Sequence, residues 1–257
     1  MASTRAAPIL PEPVPKQRLL LAAAWGVHLY TALGAAVGLL AIYFAARGDF
    51  RASFASMAAA IFIDSSDGPL ARLINVKARV PSFDGTLLDN IVDYLTYTVA
   101  PVFLMLEAGI ISTSWPGLAL ACFVMLASVY GFCQTNAKTD DHYFLGFPNY
   151  WNIVAFYLYC LHGPPWFGAT VLLVFAVLVF VPIKYIYPNR TVPLRPVTIG
   201  YGILWAMVTI AMLVMLPHIN QIMLWASLSY IAYYLLASFG LQISEFAALR
   251  RAGVPSR

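Results

Sequence analysis

Residues 64–97 open with Asp64-Ser65-Ser66-Asp67-Gly68-Pro69-Leu70-Ala71-Arg72, continue through a short basic connection, and resume at Gly85-Thr86-Leu87-Leu88-Asp89-Asn90-Ile91-Val92-Asp93, with Tyr97 a turn further on. Each half lies in an apolar run, from 52 to 74 and from 86 to 108, and a membrane-spanning helix needs about 20 such residues. Ionisable groups at membrane depth are costly and mark function, yet Asp64, Asp67, Asp89 and Asp93 place four of the chain's 11 acids here. Asp64 and Asp67 share a helix face at i, i+3, and Asp89 and Asp93 share one at i, i+4. Two antiparallel helices joined by a short link therefore bring all four carboxylates to similar depth.

The rest of the chain is built for lipid. Of its 257 residues 61% are hydrophobic and only 10% charged, with a mean hydropathy of +0.77, far from a soluble domain. Spans are predicted at 19–44, 52–74, 86–108, 116–136, 149–165, 167–187, 198–216 and 221–243, an all-α polytopic transmembrane bundle of about eight helices. The fifth is short because Pro164 and Pro165 interrupt it, and merging it with a neighbour would leave six or seven. With the N-terminus inside, all but Arg47 and Arg51 of the 15 Lys and Arg fall on the cytosolic side, as topogenic charge requires. Residues 1–18 then form a cytosolic tail, 19–247 a transmembrane catalytic domain, and 248–257 a second cytosolic tail. The net charge of +4 is accounted for by this bias or by attraction to anionic lipid, and nothing points to nucleic acid. The three cysteines fall in predicted spans and act as small apolar fillers. No pair of His28, His142, His162 and His218 has metal-ligand spacing.

Four converging carboxylates repel unless they share protons or bind a divalent cation, and hard oxygen ligands suit Mg, Mn or Ca. The plainer reading, that these acids cap helices or pair with Arg72, Lys77 and Arg79, does not need four acids at this spacing. Gly68 and Gly85 stand one turn from acids, where they allow a ligand, or equally a neighbouring helix, to approach the backbone. Pro69 disfavours helical geometry at Gly68 and predicts a kink in the second span.

The pattern Asp64, Asp67-Gly68, Ala71-Arg72, Gly85, Asp89 and Asp93 resembles the signature of the CDP-alcohol phosphotransferases, with a 12-residue gap between Arg72 and Gly85 similar to that of the bacterial phosphatidylcholine synthases. His28-Leu29-Tyr30-Thr31-Ala32, Leu88-Asp89-Asn90-Ile91-Val92-Asp93-Tyr94-Leu95, Leu145-Gly146-Phe147-Pro148 and Tyr150-Trp151-Asn152 are similar to that subfamily too, so the resemblance extends over most of the chain.

What the resemblance implies is an enzyme of the bacterial inner membrane, its active site cytosolic, taking CDP-diacylglycerol and choline as substrates amid membrane lipids. Asp64, Asp67, Asp89 and Asp93 would hold two divalent ions, Mn2+ or Mg2+, with Asp93 also the general base. Gly68, Ala71, Arg72, Gly85 and Thr31 would line the CDP and phosphate pocket. A quaternary ammonium donates no hydrogen bond, so choline calls for aromatic faces, for which Tyr97, Tyr150 and Trp151 are the candidates; an interfacial aromatic belt accounts for them equally. The resemblance fixes the acceptor least: L-serine would use the same chemistry. A divalent-cation transporter is a reading of another class, weakened because the acids gather towards one face. The assembly is left open, a homodimer included.

Overall fold

The computed structural model describes residues 15–137, 139, 141, 143–187, 191 and 194–251. The sequence beyond either end, and with it most of both predicted tails, lies outside the described residues, as do Lys138, His142 and Arg190.

Helix α1 (Pro15–Ala46) and α2 (Phe50–Ile74) form an antiparallel hairpin. Its tight turn uses Gly48 at φ +73°, a conformation open to glycine at little cost. Asp49 then caps α2, its Oδ1 accepting from the Ala52 amide at 2.9 Å, and the buried Ser53 hydroxyl donates to the Ala41 carbonyl at 2.7 Å. Helix α2 continues through Pro69 as far as Ile74; Asn75 stops it at φ 55°, returning its N–H to Ala71 and Arg72. After the short α3 (Val76–Arg79), Asp84 starts α4 (Gly85–Asp93), its Oδ1 accepting from the Thr86 and Leu87 amides at 3.0 Å each.

The third predicted span is one continuous rod in three parts: α4, a π-helical turn at Tyr94–Val99, and α5 (Ala100–Glu107). Pro101 lacks the N–H that an α-helix would give to the Tyr97 carbonyl, and the backbone widens just ahead of it. Helix α6 (Trp115–Cys133), α7 (Trp151–Leu161), α8 (Pro165–Leu178), α9 (Arg195–Met215) and α10 (Gln221–Arg251) complete the bundle. A helical segment thus stands at each predicted span. Among the described residues four of them, α1, α6, α9 and α10, are long and apolar enough to cross a membrane by themselves, while α7 and α8 are shorter apolar helices.

Large apolar side chains face outward, among them Leu126 at 68%, Leu236 at 72% and Ile222 at 78% exposure; water would penalise such a surface, and lipid does not. Helix α1 lies against α2, α4 and α5, and α7 packs on α5 and the π turn, so the acids of α2 and α4 meet inside this group.

The sixth predicted span ends early: α8 stops at Leu178, and Lys184–Ile186 is a strand, β2, paired antiparallel with β1 (Tyr143–Leu145). Pro182 cannot continue a helix ladder, and Ile183-Lys184-Tyr185-Ile186-Tyr187 is rich in β-branched and aromatic residues. Phe144 sits opposite Tyr185, and Leu145 opposite Lys184. Asp141 is bridged by Lys184 at 2.8 Å. Burial pushes the Asp141 carboxyl up, but the hydrogen bonds from Lys184 and Thr139 outweigh it and hold the group below the usual carboxylate range. Because the folded value is lowered, the bridge contributes at neutral pH and is lost as the pH falls below about 4, through the folded pKa. The expected result is a small acid-side loss of thermal stability in the wild type that is absent from Asp141→Asn, read as melting temperature against pH.

Candidate active site

Asp64 of α2 and Asp89 and Asp93 of α4 each offer a carboxylate oxygen, and the three oxygens lie within 4.8 Å of one another. All three residues are half-buried. Their closeness follows from the helical register: Asp89 and Asp93 are one turn apart on one face of α4, and α2 runs past that face. At such distances like charges cost several kcal/mol unless compensated, so the group needs bound cations or shared protons. A half-open cluster of three hard oxygen donors fits a divalent metal such as Mg2+ or Mn2+.

Asp67, the expected fourth acid, is buried at 6% exposure, and its Oδ2 accepts a 2.7 Å hydrogen bond from the Thr31 hydroxyl. It stands one turn from Asp64 but outside the three-acid group. Thr31 itself is buried and bonded to this carboxylate. One residue earlier, the Tyr30 hydroxyl meets that of Ser66 at 2.8 Å, so consecutive α1 side chains latch the acidic turn of α2. Tyr97 plays a similar part from the π turn: its hydroxyl donates to Asp64 Oδ2 at 2.7 Å. Groups that orient a ligand's carboxylate typically matter 10–100-fold for metal affinity or activity. Thr31→Val keeps the shape and removes the donor, and a drop in turnover of roughly tenfold or more, restored by Thr31→Ser, is the expected kinetic result.

Gly68 and Gly85 are places of close approach. A Cβ at residue 68 would meet a terminal guanidinium nitrogen of Arg72 at 3.3 Å, so Arg72 folds back along its own helix face. A Cβ at residue 85 would come within 2.8 Å of His28 Cε1, so the start of α4 sits directly on that ring. His28 is packed beside Phe83 and Trp25, with ring centroids 4.5 and 5.7 Å away, and its buried Nε2 has no hydrogen-bond partner. Ala71 packs against the small apolar cluster of Ala24, Val27, Val76 and Val80.

Of the three aromatic candidates the structure brings two together. The Tyr97 and Tyr150 rings are 6.2 Å apart, and Tyr97 touches Asp64. Trp151 points elsewhere: it is fully buried, donates its indole N–H to Ser128 of α6 at 2.7 Å, and packs on Phe147. Its place in the sequence at the mouth of a span suggested an acceptor role, but its polar edge is spent in the core. Phe144, beside Tyr150 at 6.2 Å, was not singled out by the sequence reading, since it comes from a strand inside an expected loop.

A predominantly helical, multi-pass membrane fold with acids at this spacing agrees with the resemblance to the CDP-alcohol phosphotransferases. No family model matches the chain. Among curated proteins it is similar to the phosphatidylcholine synthase of Legionella pneumophila, 38% identical over 224 residues that cover 84% of this chain and 88% of that one. It is 40% identical over 186 residues to that of Legionella bozemanae, covering 70% and 85%, and 34% over 213 residues to that of Pseudomonas aeruginosa, covering 83% and 89%. The chain belongs to the phosphatidylcholine synthase family.

Proposed function

We propose that the chain transfers the phosphatidyl group of CDP-diacylglycerol to choline, forming phosphatidylcholine and releasing CMP. The observation that carries this reading is the three-carboxylate group within 4.8 Å, contributed by α2 and α4. Asp64, Asp89 and Asp93, together with Asp67, are the ligands for divalent metal, Mn2+ or Mg2+ and two ions in our reading. Bound there, the metal supplies positive charge against the pyrophosphate and the departing CMP.

The chain's own residues do the rest. Gly68 and Gly85, against which Arg72 and His28 pack closely, line the nucleotide pocket together with Ala71, and Arg72 supplies a fixed charge for phosphate. Asp93 accepts the proton of the choline hydroxyl as its oxygen attacks the phosphorus bonded to diacylglycerol; that P–O bond forms as the bond to CMP breaks. Thr31 and Tyr97 hold Asp67 and Asp64 in place. The rings of Tyr97 and Tyr150 hold the trimethylammonium group. The protein works in the bacterial inner membrane with eight crossings, the acid cluster and both termini cytosolic, as a monomer or a homodimer.

The test is conversion of labelled choline into lipid by protein in detergent with CDP-diacylglycerol. Chelation of divalent metal should stop it, and added Mn2+ or Mg2+ should restore it. Labelled lipid formed at an undiminished rate under chelation would overturn the metal assignment.

A further inference from the structure

The β1–β2 ladder is held in place, although both its strands come from connections between helices. Helix α10 satisfies its outer edge: the Ile186 amide donates to Ser238 at 3.1 Å, the Tyr234 hydroxyl donates to the Ile186 carbonyl at 3.1 Å, and the Lys184 amide reaches Gln242 at 3.3 Å. Beyond it, the Tyr187 amide donates to the Thr191 hydroxyl at 2.8 Å. Three backbone groups satisfied by side chains of one membrane helix fix the ladder's position far more tightly than a surface loop needs.

What this fixed ladder carries is aromatic. Phe144 packs edge-to-face on Tyr150, with centroids 6.2 Å apart and an interplanar angle of 85°, and Tyr187 stacks on Phe144 at 4.5 Å and 27°. With the Tyr97–Tyr150 contact at 6.2 Å and the Tyr97–Asp64 hydrogen bond, a continuous row of rings runs from the carboxylates through Tyr97, Tyr150 and Phe144 to Tyr187. Tyr150, Phe144 and Tyr187 are half-buried, so each is partly exposed. Strand alternation puts Lys184 on the ladder face opposite Phe144, where its ammonium lies over Tyr143 and is paired with Asp141. No cation of the ladder itself therefore competes for the row.

We propose that Phe144 and Tyr187 form the outer half of the acceptor's quaternary-ammonium site, so that the ladder selects the acceptor. This rests on the choline reading above and extends it to residues of a different part of the chain. A tetraalkylammonium group offers no N–H to carboxylates or carbonyls, and several aromatic faces are what retain it; two rings beside Asp64 cover only the inner side, and the ladder supplies the outer one. A neutral or hydrogen-bonding acceptor gains nothing from these faces.

The test uses F144L and Y187L, which keep apolar bulk and remove the π face, beside Y187F, which keeps the face. In purified full-length protein the leucine variants should raise the KM for choline about five- to tenfold each, while kcat at saturating choline, the KM for CDP-diacylglycerol and the melting temperature stay within twofold or a degree or two of wild type. Y187F should match wild type in choline KM. Measured against 3,3-dimethylbutanol, the uncharged isostere of choline, the leucine variants should show no such loss. Wild-type turnover with choline combined with unchanged choline KM in both leucine variants overturns the inference and leaves the function standing. So does an equal rise in KM for both substrates, which would mark a purely structural role. A wild type that releases no CMP with choline overturns the functional reading and the inference with it.

Discussion

Asp89→Asn is expected to reduce CMP release by at least about a thousandfold, and to abolish saturable Mn2+ binding in the same protein. Loss of a single preorganised electrostatic contact at a reacting centre already costs 10²–10³, and here the change removes one of three charges held within 4.8 Å. Asparagine has the size and shape of aspartate, and Asp89 is half-buried on α4, so the helix and its neighbours need not move. With one charge gone, the remaining pair, Asp64 and Asp93, attracts a cation too weakly to hold it. Mn2+ binding by electron paramagnetic resonance, in parallel with turnover, checks both halves. Full Mn2+ binding with lost turnover would mean that Asp89 acts on substrate and not through a metal.

Trp151→Ala should produce the other large effect, and of a different kind. The side chain is wholly buried, packed on Phe147, and hydrogen-bonded to Ser128. Truncating a large buried aromatic leaves a cavity and costs about 3–5 kcal/mol, and the buried Ser128 hydroxyl also loses a partner. The expected outcome is a lower melting temperature in detergent and a smaller folded yield, with unchanged choline KM in whatever protein folds. An unshifted melting temperature together with a raised choline KM would return Trp151 to the acceptor site.

These two residues mark where the sequence was legible and where it was not. The acids could be read because their relations are local: i, i+3 on one helix and i, i+4 on the next, joined by a short link that forces the helices together. The helical segments could be read because lipid demands long apolar runs. Asp67 and Thr31 are 36 positions apart, and Tyr97 and Asp64 are 33 apart; no spacing rule reaches such pairs, because they depend on how α1 and the π turn rotate against α2. Trp151 and Tyr150 are neighbours in sequence, yet one faces the core and the other the acids, a difference set by helix rotation. The ladder escaped notice because Ile183–Tyr187 follows directly on an apolar run, where a short strand and the end of a span look alike. At Pro69 packing supports the helix: α1 lies along α2, with Tyr30 bonded to Ser66, and α2 runs on to Ile74.

The most direct measurement is CMP release from CDP-diacylglycerol by the purified protein in detergent with Mn2+ or Mg2+, offering choline, L-serine, glycerol 3-phosphate and inositol in turn. Release that depends on choline and is absent with the other three is the expected result. Release with L-serine or another of these acceptors and none with choline would contradict it.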